Sequence, residues 1–105
     1  MTAAADETPP QMELDPRLAP GATFGAYRLG RLIGSGGMSS VHEGVHVALQ
    51  KRIAIKILHA NLAANDALRA RFVREGEATS RIRHPNVVNV SDVGTHDGLP
   101  YLVMD

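Results

Sequence analysis

Cysteine and tryptophan are absent from the 105 residues, and only two Phe and two Tyr are present. The missing cysteine excludes a disulfide scaffold, a thiolate zinc site and a cysteine nucleophile. Charge of one sign is also missing: 11 Lys and Arg balance 11 Asp and Glu, for a formal net charge of zero. No overall field draws the chain to nucleic acid or to an anionic membrane. No apolar run approaches the roughly 20 residues a membrane span needs. The start, Met1-Thr2-Ala3-Ala4-Ala5-Asp6-Glu7, has neither a basic nor an apolar stretch, so it does not read as a secretory signal. A cytoplasmic location is the resulting expectation. What is present is a hydrophobic fraction of 44%, enough for one small core in a chain with room for a single domain.

The charge is unevenly placed. Residues 1–26 hold Asp6, Glu7, Glu13 and Asp15 against Arg17 alone, and the rest of the chain carries the compensating positive excess. Pro9, Pro10, Pro16 and Pro20 crowd the same segment, which has no apolar period. Such a stretch buries too little surface to offset its ordering entropy. Residues 1–22 are therefore expected to be a disordered acidic, proline-rich leader, and residues 23–105 the folded domain.

From Phe24 onward the pattern is periodic. Tyr27, Leu29, Arg31 and Ile33 alternate with Arg28, Gly30 and Leu32, as in a strand. Val41, Val45, Val47 and Leu49 mark a second strand, and Gln50-Lys51-Arg52 a turn. Ile53 to Leu58 is a third strand, dense in β-branched residues. Connections this short make the three an antiparallel meander. Leu68, Phe72, Glu75, Thr79 and Ile82 then follow at spacings of 4, 3, 4 and 3, which places them on one helical face. Asn65 or Asp66 can cap that helix, and His84-Pro85 ends it. Val87 to Val93 and Leu99 to Asp105 read as two more strands around a Thr95-His96-Asp97-Gly98 turn. The expected fold class is α+β: a five-stranded antiparallel sheet with one helix packed on it.

The stretch Ile33-Gly34-Ser35-Gly36-Gly37-Met38-Ser39-Ser40-Val41 lies between two strands. Glycines let a backbone approach an anion closely, and successive N–H groups can line a phosphate; a plain glycine-rich hairpin turn is the other reading. A dinucleotide fold would place a helix after the glycines, and a Walker loop would contain Gly-Lys-Ser or Gly-Lys-Thr. Neither occurs. Fifteen residues beyond Val41, on the third strand, stands Lys56 in Ala54-Ile55-Lys56, and 19 beyond that stands Glu75, a carboxylate among apolar neighbours on the helix face. Lys56 by itself could be a strand-edge lysine reaching water, and Glu75 by itself a solvated helix residue.

Together with His84-Pro85-Asn86-Val87-Val88, these motifs make residues 24–105 resemble the N-terminal lobe of a bacterial, eukaryotic-like serine/threonine protein kinase. The resemblance implies an ATP-binding lobe of an enzyme that transfers the γ-phosphate to protein Ser or Thr. It implies that Gly34 and Gly36 are the first two glycines of the phosphate loop, with Ser39 at the third glycine position and Ser35, Gly37 and Met38 in the same loop. It places Ile33, Val41 and Ala54 around the adenine, with Ile33 as Val41's partner on the first strand. Val88 would stand at the back of the pocket, Met104 at the gatekeeper position and Asp105 at the start of the hinge. Lys56 would contact the α- and β-phosphates and Glu75 would pair with Lys56, these two being the catalytic residues. Thr79 stands where many family members carry a larger apolar side chain.

The same resemblance assigns the catalytic base and both Mg2+ ligands to a second lobe, which also receives the protein substrate. Mg2+ would then be held only with residues beyond this chain, and no metal ligand is assigned within it. The 105 residues amount to half an active site, a fragment expected to be inactive and marginally stable alone. The alternative is a non-catalytic, truncated kinase-like lobe acting as an interaction or regulatory module. Assembly with a second copy is conceivable on either reading. His42-Glu43-Gly44-Val45-His46 matches a zinc-protease pattern, but that chemistry needs both His on one helical turn-repeat. On a strand they stand about 13 Å apart.

Overall fold

Strands form where the period of two is found, and the computed structural model, which describes residues 15–82 and 89–105, joins them into one antiparallel sheet. The strands are β1 (Thr23–Phe24), β2 (Tyr27–Ser35), β3 (Ser39–His46), β4 (Lys51–Leu58), β5 (Val90–His96) and β6 (Leu99–Met104), in the order β1-β2-β3-β4-β6-β5. Between β4 and β5 lie a short helix α1 (Ala60–Ala63) and the main helix α2 (Asp66–Ser80). The expected five strands become six because Thr23 and Phe24 turn back at Gly25 (φ +60°) and pair with Arg28 and Tyr27.

Local chemistry explains most boundaries. The Asn65 side chain accepts from the Leu68 N–H at 3.1 Å and caps α2. Asp97 and Gly98 both have positive φ (+49° and +79°), the conformation a two-residue hairpin between right-twisted strands requires. The second strand stops at His46, short of the expected Leu49. Its carbonyl accepts from the Gln50 N–H, and its imidazole Nδ1 accepts from the Leu49 N–H, so Val47 and Leu49 belong to an exposed turn.

Residues 15–22, expected in the leader, are instead built onto the domain. Asp15 caps a 3-10 turn over Pro16–Leu18 and holds Arg17 at 2.9 Å. Arg17 also donates to the Asp97 carbonyl, and Leu18 enters the core. Several contacts together hold the segment: Leu18 and Ala22 pack on the core, the Gly21 N–H donates to the Leu29 carbonyl, and the Ala22 carbonyl accepts from the Leu29 N–H. The rest of the expected leader, residues 1–14, lies outside the described residues, as do residues 83–88 with the expected helix stop and the start of the fourth expected strand.

The two faces of the sheet follow from register, since residues directly opposite on adjacent strands share a face. On one face His42, Ile55 and Val103 form a rung, and Ser40, Ile57 and Tyr101 another; all six are buried. The sheet curls around this face. Tyr27 on β2 meets Tyr101 on β6 edge-on, with ring centroids 6.2 Å apart, although two strands separate β2 from β6 in the sheet order. The Tyr27 hydroxyl crosses to Asp92 on β5 at 2.7 Å. The other face carries the rung Val41–Lys56–Leu102–Val93 and the rung Glu43–Ala54–Met104–Val90. Helix α2 lies over the β5–β6 end of that second face through Phe72 and Gly76, its two buried residues.

Candidate functional site

The second face is where the sequence-derived candidates converge. Lys56 stands between Val41 and Leu102 on one rung, and Ala54 stands beside Met104 on the next. Lys56 and Glu75 line a cavity of about 320 Å³ with Phe72, Gly76, Thr79, Val90, Leu102 and Met104. A smaller adjoining cavity of about 110 Å³ adds Met38 and Ser39 of the glycine-rich loop to Lys56 and Glu75. The loop, the strand lysine and the helix carboxylate thus meet at one place, although they lie far apart in the chain.

The glycine-rich loop is a tight connection between β2 and β3. The Gly36 N–H donates to the Ser39 carbonyl at 2.9 Å, and the Met38 carbonyl accepts from the His59 N–H beyond β4 at 2.9 Å. None of Gly34, Gly36 and Gly37 has positive φ. A Cβ at Gly34 or Gly37 would meet nothing within 4 Å, and one at Gly36 only the Ser39 carbonyl at 3.9 Å. The fold therefore has no steric need for these glycines; what their missing side chains provide is open space beside the backbone. Ser35 ends β2 at an exposed position, Met38 is exposed, and Ser39 is buried.

Two placements differ from the expectation. Gly34, not Ile33, stands opposite Val41, because a register shift between Leu32 and Gly34 leaves Ile33 as the extra residue of a bulge. Ile33 is half exposed. Glu75 also points elsewhere than expected: its carboxylate accepts from Arg71 Nε at 3.1 Å, and no ion pair joins it to Lys56 in this conformation. The physical reason is proximity. Arg71 lies one turn earlier on the same helix, where a pair forms without any tertiary movement. Such an exposed pair contributes only about 0.3–0.5 kcal/mol, so it is a weak competitor.

Asp105 follows β6. Its carboxylate accepts from Lys51 Nζ at 3.3 Å and from Asn89 Nδ2 at 2.8 Å. With Ala54, Arg28, Glu43 and Arg52 it borders a second, more open cleft of about 520 Å³ on the same face. Val88 lies outside the described residues. His42 and His46 both lie on β3: His42 is buried with its Nε2 2.9 Å from the Ser40 hydroxyl, and His46 packs edge-on against Tyr27. Burial holds the His42 imidazole below its usual pKa. Among the described residues no three His, Asp or Glu side chains gather where a metal ion could sit.

Sequence reasoning passed over Arg71, Gly76 and Leu102. Arg71 was available from the i,i+4 rule. Leu102 shares a face with Met104 by the strand period. Gly76 lies inside a helix, where glycine is ordinarily disfavoured, and nothing local marks what it meets on the sheet.

The family model for the protein kinase domain matches residues 27–105. The chain is 41% identical over 90 residues to the probable serine/threonine-protein kinase PknB of Bifidobacterium longum, with 77% of this chain and 13% of that protein covered. It is 44% identical over 85 residues to the serine/threonine-protein kinase PksC of Streptomyces coelicolor, covering 77% of this chain and 15% of that protein. Among solved structures, the PknI kinase domain of Mycobacterium tuberculosis matches with a TM-score of 0.70 and 38% identity, over 84% of this chain and 36% of that one. The chain therefore spans a small part of the relatives it matches.

Proposed function

The chain belongs to the protein kinase domain family, and we propose that it is the nucleotide-binding lobe of a serine/threonine protein kinase, holding ATP for γ-phosphate transfer to protein Ser or Thr in the complete enzyme. The observation that carries this reading is the convergence of Lys56, Glu75 and the loop residues Met38 and Ser39 on adjoining cavities. The chemistry suits the geometry. Open space at Gly34, Gly36 and Gly37 admits bulky phosphate oxygens close to the backbone. Lys56 brings a cation to the same spot, where it offsets charge on the α- and β-phosphates. Val41, Ala54 and Met104 supply a half-buried apolar surface for the purine, with Ala54 leaving room for the ring. Ile33 belongs to the edge of that pocket, and Asp105 offers its backbone to the adenine amino group.

Glu75 takes its role by turning from Arg71 toward Lys56 when nucleotide fixes the ammonium. The pair orients Lys56 and keeps it from collapsing onto other acceptors. Lys56 and Glu75 are thus the catalytic residues this lobe contributes. The catalytic base, the Mg2+ ligands and the protein-substrate surface come from the part of the enzyme beyond this chain.

The test is phosphoryl transfer by the full-length kinase carrying Lys56→Met. Transfer is expected to fall roughly a hundredfold to a thousandfold, as when one preorganised transition-state charge is removed, with an unchanged melting midpoint. Near-normal kcat would overturn the assignment. Nucleotide binding without any transfer in the wild type would instead favour a non-catalytic interaction module.

A further inference from the structure

Gly76 is the one glycine of α2 and one of its two buried residues. Its φ is not positive, so the backbone does not demand glycine there, and a helix interior ordinarily disfavours it. The demand is tertiary. A Cβ at Gly76 would overlap Leu102 Cδ2 and stand 3.3 Å from Cγ and 3.4 Å from Cδ1. Leu102 is buried and lies directly across from Lys56 on the neighbouring strand. Gly76 directly follows Glu75. Helix and sheet therefore touch at a point one residue from the carboxylate and one strand from the ammonium, and all four residues line the same cavity of about 320 Å³.

We propose that Gly76 is a positioning residue: by letting α2 seat against Leu102, it sets the distance across which Glu75 reaches Lys56. The inference rests on the roles given to Lys56 and Glu75 above. Phe72, one turn earlier, is buried beside the same cavity, so α2 has two points of support along this face. A Cβ at the Gly76 contact would wedge the helix away at the turn that carries Glu75. Two responses relieve the overlap: α2 moves away from β6, or Leu102 rotates its branched end into the cavity that it lines; the proposal requires the first, and the position of α2 in the variant decides.

The experiment uses the full-length kinase with Gly76→Ala, Leu102→Val and the double substitution. Crystal structures give the separation of α2 from β6, and kinetics give kcat and KM for ATP. Gly76→Ala is expected to lift α2 by roughly 1.5 Å, the shift that restores ordinary carbon–carbon contact. It is expected to lower kcat roughly tenfold to a hundredfold, in line with small misplacements at a reacting centre, with a smaller change in KM. Alanine favours a helix more than glycine does, so a loss of activity would not reflect a weaker helix. In the double variant Leu102→Val removes the overlapping Cδ atoms, and helix position and kcat should return toward wild type. An unmoved α2 with unchanged kcat in Gly76→Ala would overturn the proposal. So would a loss that Leu102→Val fails to recover while α2 returns to its place. A wild-type protein without phosphoryl transfer would break the functional assignment instead, and the helix displacement would still decide whether this contact spaces Glu75 from Lys56.

Discussion

The two faces of the sheet are built from the same strands, yet they differ in what covers them. On the inward face Ile55 and Ile57 are fully buried, and His42 and Val103 nearly so. On the other face Val41, Ala54, Lys56 and Met104 remain partly open, although each alternates with a buried neighbour. The inward face closes on itself because the sheet curls until β2 reaches β6. Over one end of the open face lies α2, and among the described residues the rest of that face is less covered. On β4, core packing thus falls on the odd positions and the proposed ligand contacts on the even ones. Substitutions one residue apart should separate them.

The largest expected effect on stability comes from Ile55→Ala. It removes a fully buried side chain between His42 and Val103 and should cost about 2–5 kcal/mol by urea denaturation. A loss below half a kcal/mol would mean that the inward face is not the core. Its neighbour offers the contrasting case. Ala54→Leu fills the space assigned to the purine and should raise KM for ATP roughly tenfold, an effect of about 1.4 kcal/mol, with little change in the urea midpoint. Met104→Gly, directly across from Ala54, should admit purines with bulky N6 groups. Unchanged nucleotide preference in both variants would break the assignment of the open face to adenine.

The smallest effect sharpens the comparison through pH. His42 lies on the inward face, where burial lowers its pKa below that of an unfolded chain, about 6.5. Below that value the unfolded state takes up the proton more readily than the folded state. The stability contributed by neutral His42 is therefore present above about pH 6.5 and is lost as the pH falls through the range below it. Urea midpoints measured at about pH 8 and about pH 5 should show this slope in the wild type and a shallower one in His42→Gln. Equal slopes would place the titration elsewhere.

Much of the fold was legible because short-range rules govern it. The third expected strand, Ile53 to Leu58, lies within β4, and the helix begins at the cap offered by Asn65. Ala54 and Lys56 had to share a face, being two residues apart on a strand. The site was legible mainly through spacing between motifs. The extent of the leader was not, because Leu18 alone gives no period and its burial depends on core partners distant in the chain. Glu75 was expected to face inward because Leu68 and Phe72 flank it by helical spacing. Its side chain is instead largely exposed beside Arg71, while α2 turns Phe72 and Gly76 to the sheet.

By itself, the sequence determined where most of the strands run, where α2 starts and which residues alternate together. Each of these depends on neighbours within a few residues, where backbone sterics, capping and periodicity act. Only the tertiary structure decided which face of the sheet closes, why Gly34 rather than Ile33 meets Val41, and what a side chain at position 76 would meet. Those outcomes depend on the curl of the sheet and on contacts such as Gly76 with Leu102, between side chains whose distance in sequence carries no local signal.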